Sequence, residues 1–87
     1  MIKESKEIVE AHDWSFKNMD SLKNDKICGC FYCCEIFKPS EIKEFIEECD
    51  GDKTAVCPYC GTDSVIGESS GFPITKEFLM RMKEYWF

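Results

Sequence analysis

Two Cys-x-x-Cys units are the feature that most limits what this 87-residue chain can fold into. The first is Cys30 with Cys33, the second is Cys57 with Cys60, and 23 residues separate them. A two-residue spacer closes a tight turn that aims both sulfurs at one ion, and two such turns complete a tetrahedron. We therefore predict one metal site in which these four cysteines are the ligands, with one zinc ion per chain as the cofactor.

The second unit is the better formed of the two. Pro58 stiffens the turn between Cys57 and Cys60, and Gly61 can adopt a positive φ angle immediately after it. Such a turn lets backbone amides donate to the thiolates and disperse their charge. Cys57 and Cys60 are thus the firmer pair of predicted ligands.

The first unit leaves alternatives open because four cysteines crowd into seven residues. Cys30 and Cys33 have the matching spacing. Cys28 lies two residues before Cys30, on the same face of an extended strand, and is an alternative ligand. Neighbouring residues on an extended backbone point apart, so Cys34 is predicted to be a packed or half-exposed non-ligand.

The cysteine content also bears on the cellular compartment of the protein. Seven cysteines are an odd number, which fits a closed set of disulfides poorly. The first ten residues alternate charged and aliphatic types and do not resemble a secretory signal, and no long apolar run spans a membrane. We therefore expect a cytoplasmic protein with reduced thiols, whose residues 1–87 form a single zinc-binding domain.

The charge of the chain limits its partners. Its formal net charge is −6, and four thiolates around one divalent ion would bring this to about −8. Nucleic-acid affinity comes largely from lysine and arginine displacing counterions, so nucleic-acid binding is disfavoured. An acidic surface instead suits a basic protein partner, such as a nuclease toxin that an immunity protein would neutralise.

Hydrophobic periodicity predicts an α+β fold. We expect helices over 2–12, near 18–24, over about 39–49 and from the cap residue Thr75 onward. Strands are expected around the first unit and in a hairpin that joins 54–56 to 63–66. Together these predict a zinc-ribbon-like or treble-clef-like core of two zinc knuckles and a β-hairpin, with an intervening helix and terminal helices. Cys49 would be a small buried side chain on the 39–49 helix.

The sequence favours a binding protein over an enzyme. His12 is the only histidine, and no serine or cysteine stands at a catalytic spacing from it. Phe31, Tyr32 and Tyr59 lie inside the cysteine turns, where they form either an aromatic contact patch or a cover over the metal. The acidic positions of the 39–49 helix, Glu41, Glu44, Glu47 and Glu48, form a solvated face or a partner site.

An iron electron carrier is the alternative function. Paired Cys-x-x-Cys units, Cys-Pro-x-Cys-Gly in the second, nearby aromatic residues and an acidic surface all resemble rubredoxin, and a tetrathiolate site accepts iron as well as zinc. Cys34 stands where rubredoxins have glycine, and a helix is predicted between the units. These two departures favour the zinc-stabilised interaction module.

Several short motifs are spread over nearly the whole chain. They are Cys-Gly-Cys-Phe-Tyr-Cys at 28–33, Phe-Lys-Pro-Ser-Glu-Ile at 37–42, Thr-Ala-Val-Cys-Pro-Tyr-Cys-Gly at 54–61, Asp-Ser-Val-Ile-Gly at 63–67, Pro-Ile-Thr-Lys-Glu-Phe at 73–78 and Tyr-Trp-Phe at 85–87. This pattern resembles a family of small bacterial proteins usually described only as cytoplasmic proteins. The resemblance implies a bacterial cytosolic zinc protein and implies no activity. Cys34 departs from the pattern, which has an aliphatic residue there, and this supports its role as a non-ligand.

Overall fold

Short helices and strands alternate along the chain. The computed structural model describes the backbone of residues 3–87 and the side chains of residues 6–87. The elements are α1 (Lys3–Asp13), α2 (Met19–Leu22), β1 (Cys28–Cys30), β2 (Ile36–Phe37), β3 (Phe45–Glu47), β4 (Lys53–Ala55), β5 (Val65–Gly67) and α3 (Lys76–Trp86), with 3₁₀ turns at Pro39–Glu41 and Glu68–Ser70. This mixture of helices and small antiparallel sheets agrees with the predicted α+β class. None of the described helices has the length and apolar character needed to cross a membrane.

The larger sheet has three antiparallel strands in the order β2-β1-β5. Its register places Gly29 of β1 opposite Ile36 on one side and Ile66 on the other. Because successive strand residues point to opposite faces, these three residues share one face, and Cys28 and Cys30 point to the other. The sheet thus separates a helix side from a cysteine side.

The helix side is covered by α1 and α3. Its core contains Ile8, Ala11, Phe31, Cys34, Ile66, Ile74, Phe78, Leu79 and Met82. Gly29 permits this packing, because a Cβ atom there would lie only 2.7 Å from Leu79 Cδ1. The missing side chain lets α3 approach the middle of the sheet closely.

The cysteine side holds a second core. It contains Leu22, Cys28, Cys30, Phe37, Ile42, Ala55, Cys57 and Val65, with Cys33 and Cys60 packed against it. Members come from α2, from the larger sheet and from β4. This core therefore joins the two sheets around the predicted metal ligands.

The C-terminal helix begins as predicted. Thr75 is its N-cap, and the Thr75 hydroxyl accepts a hydrogen bond of 3.2 Å from the backbone N–H of Phe78. Phe78, Leu79 and Met82 are buried at helical spacing. The aromatic residues of the last turn behave differently, since the Tyr85 side chain is 50% exposed. The predicted apolar face therefore packs fully only over the first two turns.

The segment 39–49 does not form the predicted helix. After a 3₁₀ turn it becomes β3, which pairs antiparallel with β4. The Asp50-Gly51 sequence closes a hairpin: Gly51 has a φ of 93°, and Glu48 N donates to Asp52 O over 2.8 Å. A short apolar run is compatible with the periodicity of a helix and with that of a strand. Here the Asp50-Gly51 turn favours the strand, because it brings β3 and β4 together as a hairpin.

The predicted hairpin between 54–56 and 63–66 does not form either. β4 pairs with β3, whereas β5 pairs with the central strand β1. Residues 56–64 therefore connect two different sheets. The second Cys-x-x-Cys unit lies in this connection, which brings it across to the first unit.

The predicted N-terminal helices are largely confirmed. The helix expected over 2–12 is α1, although its predicted first residue, Ile2, lies outside the described residues. The helix expected near 18–24 is the single turn α2. Both predictions followed apolar residues whose burial is observed, such as Ile8 and Leu22.

The side chain of Asn18 ties the two sheets together. Its Oδ1 accepts from Ala55 N of β4 over 2.9 Å, and its Nδ2 donates to Val65 O of β5 over 2.7 Å. A further bond from Nδ2 reaches Trp14 O at 3.1 Å. Asn18 is only 2% exposed, so these bonds replace water for polar groups that would otherwise be buried without partners.

We predict that Asn18→Asp lowers the free energy of unfolding by at least about 2 kcal/mol, because a carboxylate cannot donate to two buried carbonyl oxygens. Chemical denaturation of the purified protein measures this change. Asn24→Asp makes the same substitution at an exposed position and is the matched control. Equal stability of the two variants would show that the Asn18 bonds do not hold the sheets together.

Candidate metal centre

Four cysteine sulfurs meet between the two sheets. The Sγ atoms of Cys30, Cys33, Cys57 and Cys60 all lie within 4.8 Å of one another. The Cys30–Cys60 and Cys33–Cys57 sulfur separations are 3.6 and 3.7 Å. A tetrahedron with metal–sulfur bonds of about 2.3 Å has sulfurs about 3.8 Å apart. The group therefore has the dimensions of a four-thiolate metal site.

The two Cys-x-x-Cys units, here called the first and second knuckle (residues 30–35 and 57–62), have the same backbone design. In each, the carbonyl of the first cysteine accepts from the N–H four residues later: Cys34 N to Cys30 O at 2.8 Å, and Gly61 N to Cys57 O at 3.0 Å. The N–H of the first cysteine donates to the carbonyl five residues later, that of Glu35 or Thr62. Each knuckle is thus a closed loop that fixes both of its cysteines.

The fifth residue of each knuckle has a left-handed backbone. Gly61 has a φ of 79°, as its residue type predicts, and Cys34 occupies the equivalent position with a φ of 64°. This conformation is sterically unfavourable for cysteine, which has a Cβ atom, and not for glycine. The thiol of Cys34 is buried in the helix-side core, which offsets that cost by packing.

Hydrogen bonds to the sulfurs complete the site. The backbone N–H of Tyr32 donates to Cys30 Sγ over 3.3 Å, and that of Tyr59 donates to Cys57 Sγ over 3.4 Å. The hydroxyl of buried Ser64 lies 3.0 Å from Cys30 Sγ. Donors of this kind stabilise thiolate charge on metal ligands. The sequence predicts Ser64 only as a strand residue, and no sequence signal marks its contact with the site.

The thiols of this group differ in acidity. Burial raises the pKa of Cys33 and that of Cys57. Burial acts in the same direction on Cys60, but hydrogen bonds from the Thr62 side chain and backbone and from the Cys30 and Cys57 thiols together outweigh it and lower the pKa of Cys60 to about 7. A divalent cation would displace the protons of the remaining thiols and supply the charge that their buried thiolates lack.

The other three cysteines lie outside the group. Cys28, the alternative ligand, is fully buried; its Sγ donates to Phe37 O over 3.5 Å, and burial raises its pKa to about 12. Cys34 is buried in the helix-side core, as a packed non-ligand. Cys49 is exposed in the β3–β4 turn, so the prediction that it is buried is wrong. That prediction depended on the 39–49 helix, which does not form.

The aromatic residues of the knuckles have different environments, and Phe31 lies in the helix-side core rather than over the cysteine group. Phe31 is 1% exposed and packs into the helix-side core. Tyr32 and Tyr59, at the same position of the two knuckles, are 42% and 57% exposed. The Tyr59 hydroxyl donates to Glu41, and the Tyr32 ring packs edge-on against Phe87. The tyrosines therefore offer aromatic surface, whereas Phe31 provides core packing.

His12 lies at the end of α1, half-buried, with its ring centroid 4.1 Å from that of Trp86. Its ring also contacts Phe31, at 5.6 Å between centroids. His12 thus belongs to the packing between α1, the first knuckle and α3.

Comparison with protein-family models, with curated proteins and with solved structures found no match. The function must therefore be inferred from the residues and geometry of this chain.

We predict that Cys57→Ser abolishes metal binding, because a neutral hydroxyl cannot replace a buried thiolate in a four-thiolate site. Metal content per chain, measured by mass spectrometry on purified protein, should fall from one to near zero. Cys49→Ser and Cys28→Ser should retain the metal, since their thiols lie outside the group. Loss of metal from Cys28→Ser with retention in Cys30→Ser would reassign the ligand to Cys28.

Proposed function

We propose that this protein is a small cytoplasmic module in which one zinc ion, held by Cys30, Cys33, Cys57 and Cys60, stabilises a surface for binding another protein. The closed group of four sulfurs is the observation that carries this proposal. Four thiolates fill a tetrahedral zinc site and leave no position for water or substrate, which favours a structural role over a catalytic one. The proposed kinship with small bacterial cytoplasmic proteins rests on the same motifs and agrees with reduced thiols.

The topology favours a zinc-ribbon arrangement within this proposal. The first knuckle lies between β1 and β2, and the second lies between β4 and β5. The first pair thus comes from the last residue of β1 and the turn after it, and the second pair comes from a loop between strands. A treble clef would take its second pair from the start of a helix, and α3 begins well after Cys60.

A zinc ion at this position would link parts of the chain that share little other structure. The strands are two or three residues long, and the two core clusters are small. Structural zinc binding is worth roughly 10–16 kcal/mol at neutral pH. This is comparable to the whole stability of a typical domain, about 5–15 kcal/mol.

We therefore expect removal of zinc by a chelator to unfold the protein. Far-ultraviolet circular dichroism should lose its native signal as the metal leaves, and addition of zinc should restore it. Cys49→Ser serves as a matched control for thiol oxidation, because it removes the exposed cysteine and leaves the metal group intact. A native spectrum in protein shown to be metal-free would rule out the structural role.

The interaction role is supported by charge and by exposed side chains. The formal net charge is −6. The acidic helix face predicted from sequence does not exist as such: Glu41 accepts from Tyr59 and Lys38, and Glu48 accepts from the Thr54 hydroxyl. Carboxylates are instead concentrated along the β3–β4 hairpin, at Glu44, Glu47, Glu48, Asp50 and Asp52. These features favour a basic protein partner, of the kind that an immunity protein binds.

We expect the zinc-loaded protein to form a complex with a basic protein from its native lysate, and the complex to reassemble from the two purified components. Because surface charge would drive association, raising salt from 0.1 to 1 M should weaken binding at least about tenfold as the screening length falls from about 10 to 3 Å. Calorimetry with the purified pair measures this dependence. Affinity independent of salt would contradict a charge-driven partner.

A rubredoxin-like iron carrier remains the alternative use of the same ligands, because tetrathiolate sites accept iron. Cys33 and Cys60 are only partly buried, which would place such an ion near the surface. The metal-loaded protein separates the two proposals. Colourless protein with one zinc per chain supports the structural module, whereas a red protein with sulfur-to-iron charge-transfer bands and reversible reduction would support the carrier.

A further inference from the structure

We propose that the outer edge of β3 (Phe45–Glu47) is a docking edge, at which an extended segment of a basic partner adds a strand to the β3–β4 hairpin. This inference rests on the proposed binding function and gives it a location and a partner chemistry. It follows from the hydrogen-bond pattern of the hairpin, from the side chains that β3 exposes and from the charge around it.

The hydrogen-bond pattern determines which backbone groups of β3 face outward. Val56 N donates to Glu44 O and Glu48 N donates to Asp52 O, so the bonded pairs occur at positions 44 and 48 of this strand. Bonded and non-bonded pairs alternate in an antiparallel ladder, which makes Ile46 the bonded position between them. The N–H and C=O groups of Phe45 and Glu47 therefore point away from β4. Neither residue has a backbone hydrogen-bond partner among residues 3–87.

The opposite edge of the hairpin is closed. Ala55 of β4 also directs its N–H outward, and there it donates to Asn18 Oδ1. The loop before α2 adds a bond from Lys17 N to the Thr54 hydroxyl. The covered β4 edge and the open β3 edge thus differ within one hairpin, and only the β3 edge is available to another strand.

The side chains of β3 are apolar and exposed. Phe45 is 38% exposed and Ile46 is 43% exposed, although both occupy a strand. Phe45 also lines a groove of about 470 Å³ together with Leu22 and Ile42, and Lys23, Lys26 and Lys38 lie at the same groove. The apolar residues of an added strand, rather than its basic residues, would therefore face this groove. Exposed apolar side chains on an unpaired edge are typical of sites where a strand is added.

The charge around the edge selects its occupant. The hairpin carries five carboxylates between positions 44 and 52, against Lys43 and Lys53. Asp50 forms an ion pair with Lys17, whereas Glu44 and Glu47 are exposed beside the open edge. Pairing with a second copy would place like charges together, so self-association is opposed. A strand that alternates basic and apolar residues would place its basic residues on the face of Glu44 and Ile46 and its apolar residues on the face of Phe45.

The test uses the zinc-loaded protein and blocked hexapeptides as probes. A peptide of alternating lysine and valine should bind, and a peptide of alternating glutamate and valine should not. Hydrogen exchange followed by NMR should slow at the Phe45 and Glu47 amides, because these donors gain partners in the added strand. Equal binding of a peptide made only of lysine, which lacks the strand pattern, would overturn the proposal in favour of charge alone.

Variants at Glu47 separate the contribution of the backbone hydrogen bond to peptide binding from that of the carboxylate charge. Glu47→Gln keeps the outward N–H and removes the carboxylate, whereas Glu47→Pro removes both. We expect Glu47→Pro to bind the lysine–valine peptide several-fold to about tenfold more weakly than Glu47→Gln, as the loss of one hydrogen bond implies. Lys53→Pro places proline at the cross-strand partner, facing the other edge, and should not weaken binding.

A variant without proline is needed as well, because proline could perturb the hairpin itself. Ile46→Lys puts a positive charge on the exposed face of β3 and should weaken binding of the lysine–valine peptide at least about tenfold. Met80→Lys makes a comparable change at an exposed position of α3 and should leave it unchanged. Unchanged binding by Ile46→Lys, or concentration-dependent dimerisation of the wild-type protein, would overturn the proposal. If these variants still captured the basic partner normally, the binding function would stand and its surface would lie elsewhere.

Discussion

The approach of four cysteine sulfurs from two separate knuckles is the constraint around which the rest of this structure is arranged. The first knuckle follows the central strand of the larger sheet, and the second lies in the connection between the two sheets. Bringing these sulfurs within 4.8 Å fixes where both sheets must lie. The strands can then be very short, because their relative position does not depend on long ladders of hydrogen bonds. Asn18 reinforces the same junction through bonds to Ala55 and Val65.

Features specified locally could be predicted from the sequence. The spacing of the cysteines identified the four residues that the structure brings together, although their role as ligands stays a prediction. Thr75 and the apolar residues after it predicted α3, because a cap and a helical stripe are both contained within a few residues. Gly61 predicted its own left-handed conformation for the same reason.

Features that depend on distant parts of the chain were predicted poorly. Ile42, Phe45 and Ile46 fit a helical stripe, but β4 supplies a strand partner and Asp50-Gly51 supplies the turn. The pairing of β5 with β1 rather than β4 spans more than thirty residues, and no local pattern encodes it. The bridging role of Asn18 could not be predicted, because an amide that bonds to two sheets leaves no mark on its neighbours in sequence.

The fifth position of the two knuckles, Cys34 in the first and Gly61 in the second, contacts different surroundings. Gly61 satisfies the backbone at this position without strain and contributes no side chain to pack. Cys34 has a left-handed backbone, which is unfavourable for a cysteine by on the order of 1–2 kcal/mol. Its thiol packs in the helix-side core. The first knuckle is therefore also a wall of the helix-side core, and its turn geometry is a compromise with that packing. Because Cys34 is joined directly to Cys33, adjacent residues of one turn belong to the helix-side core and to the four-cysteine group, so neither can be repositioned independently of the backbone that both share.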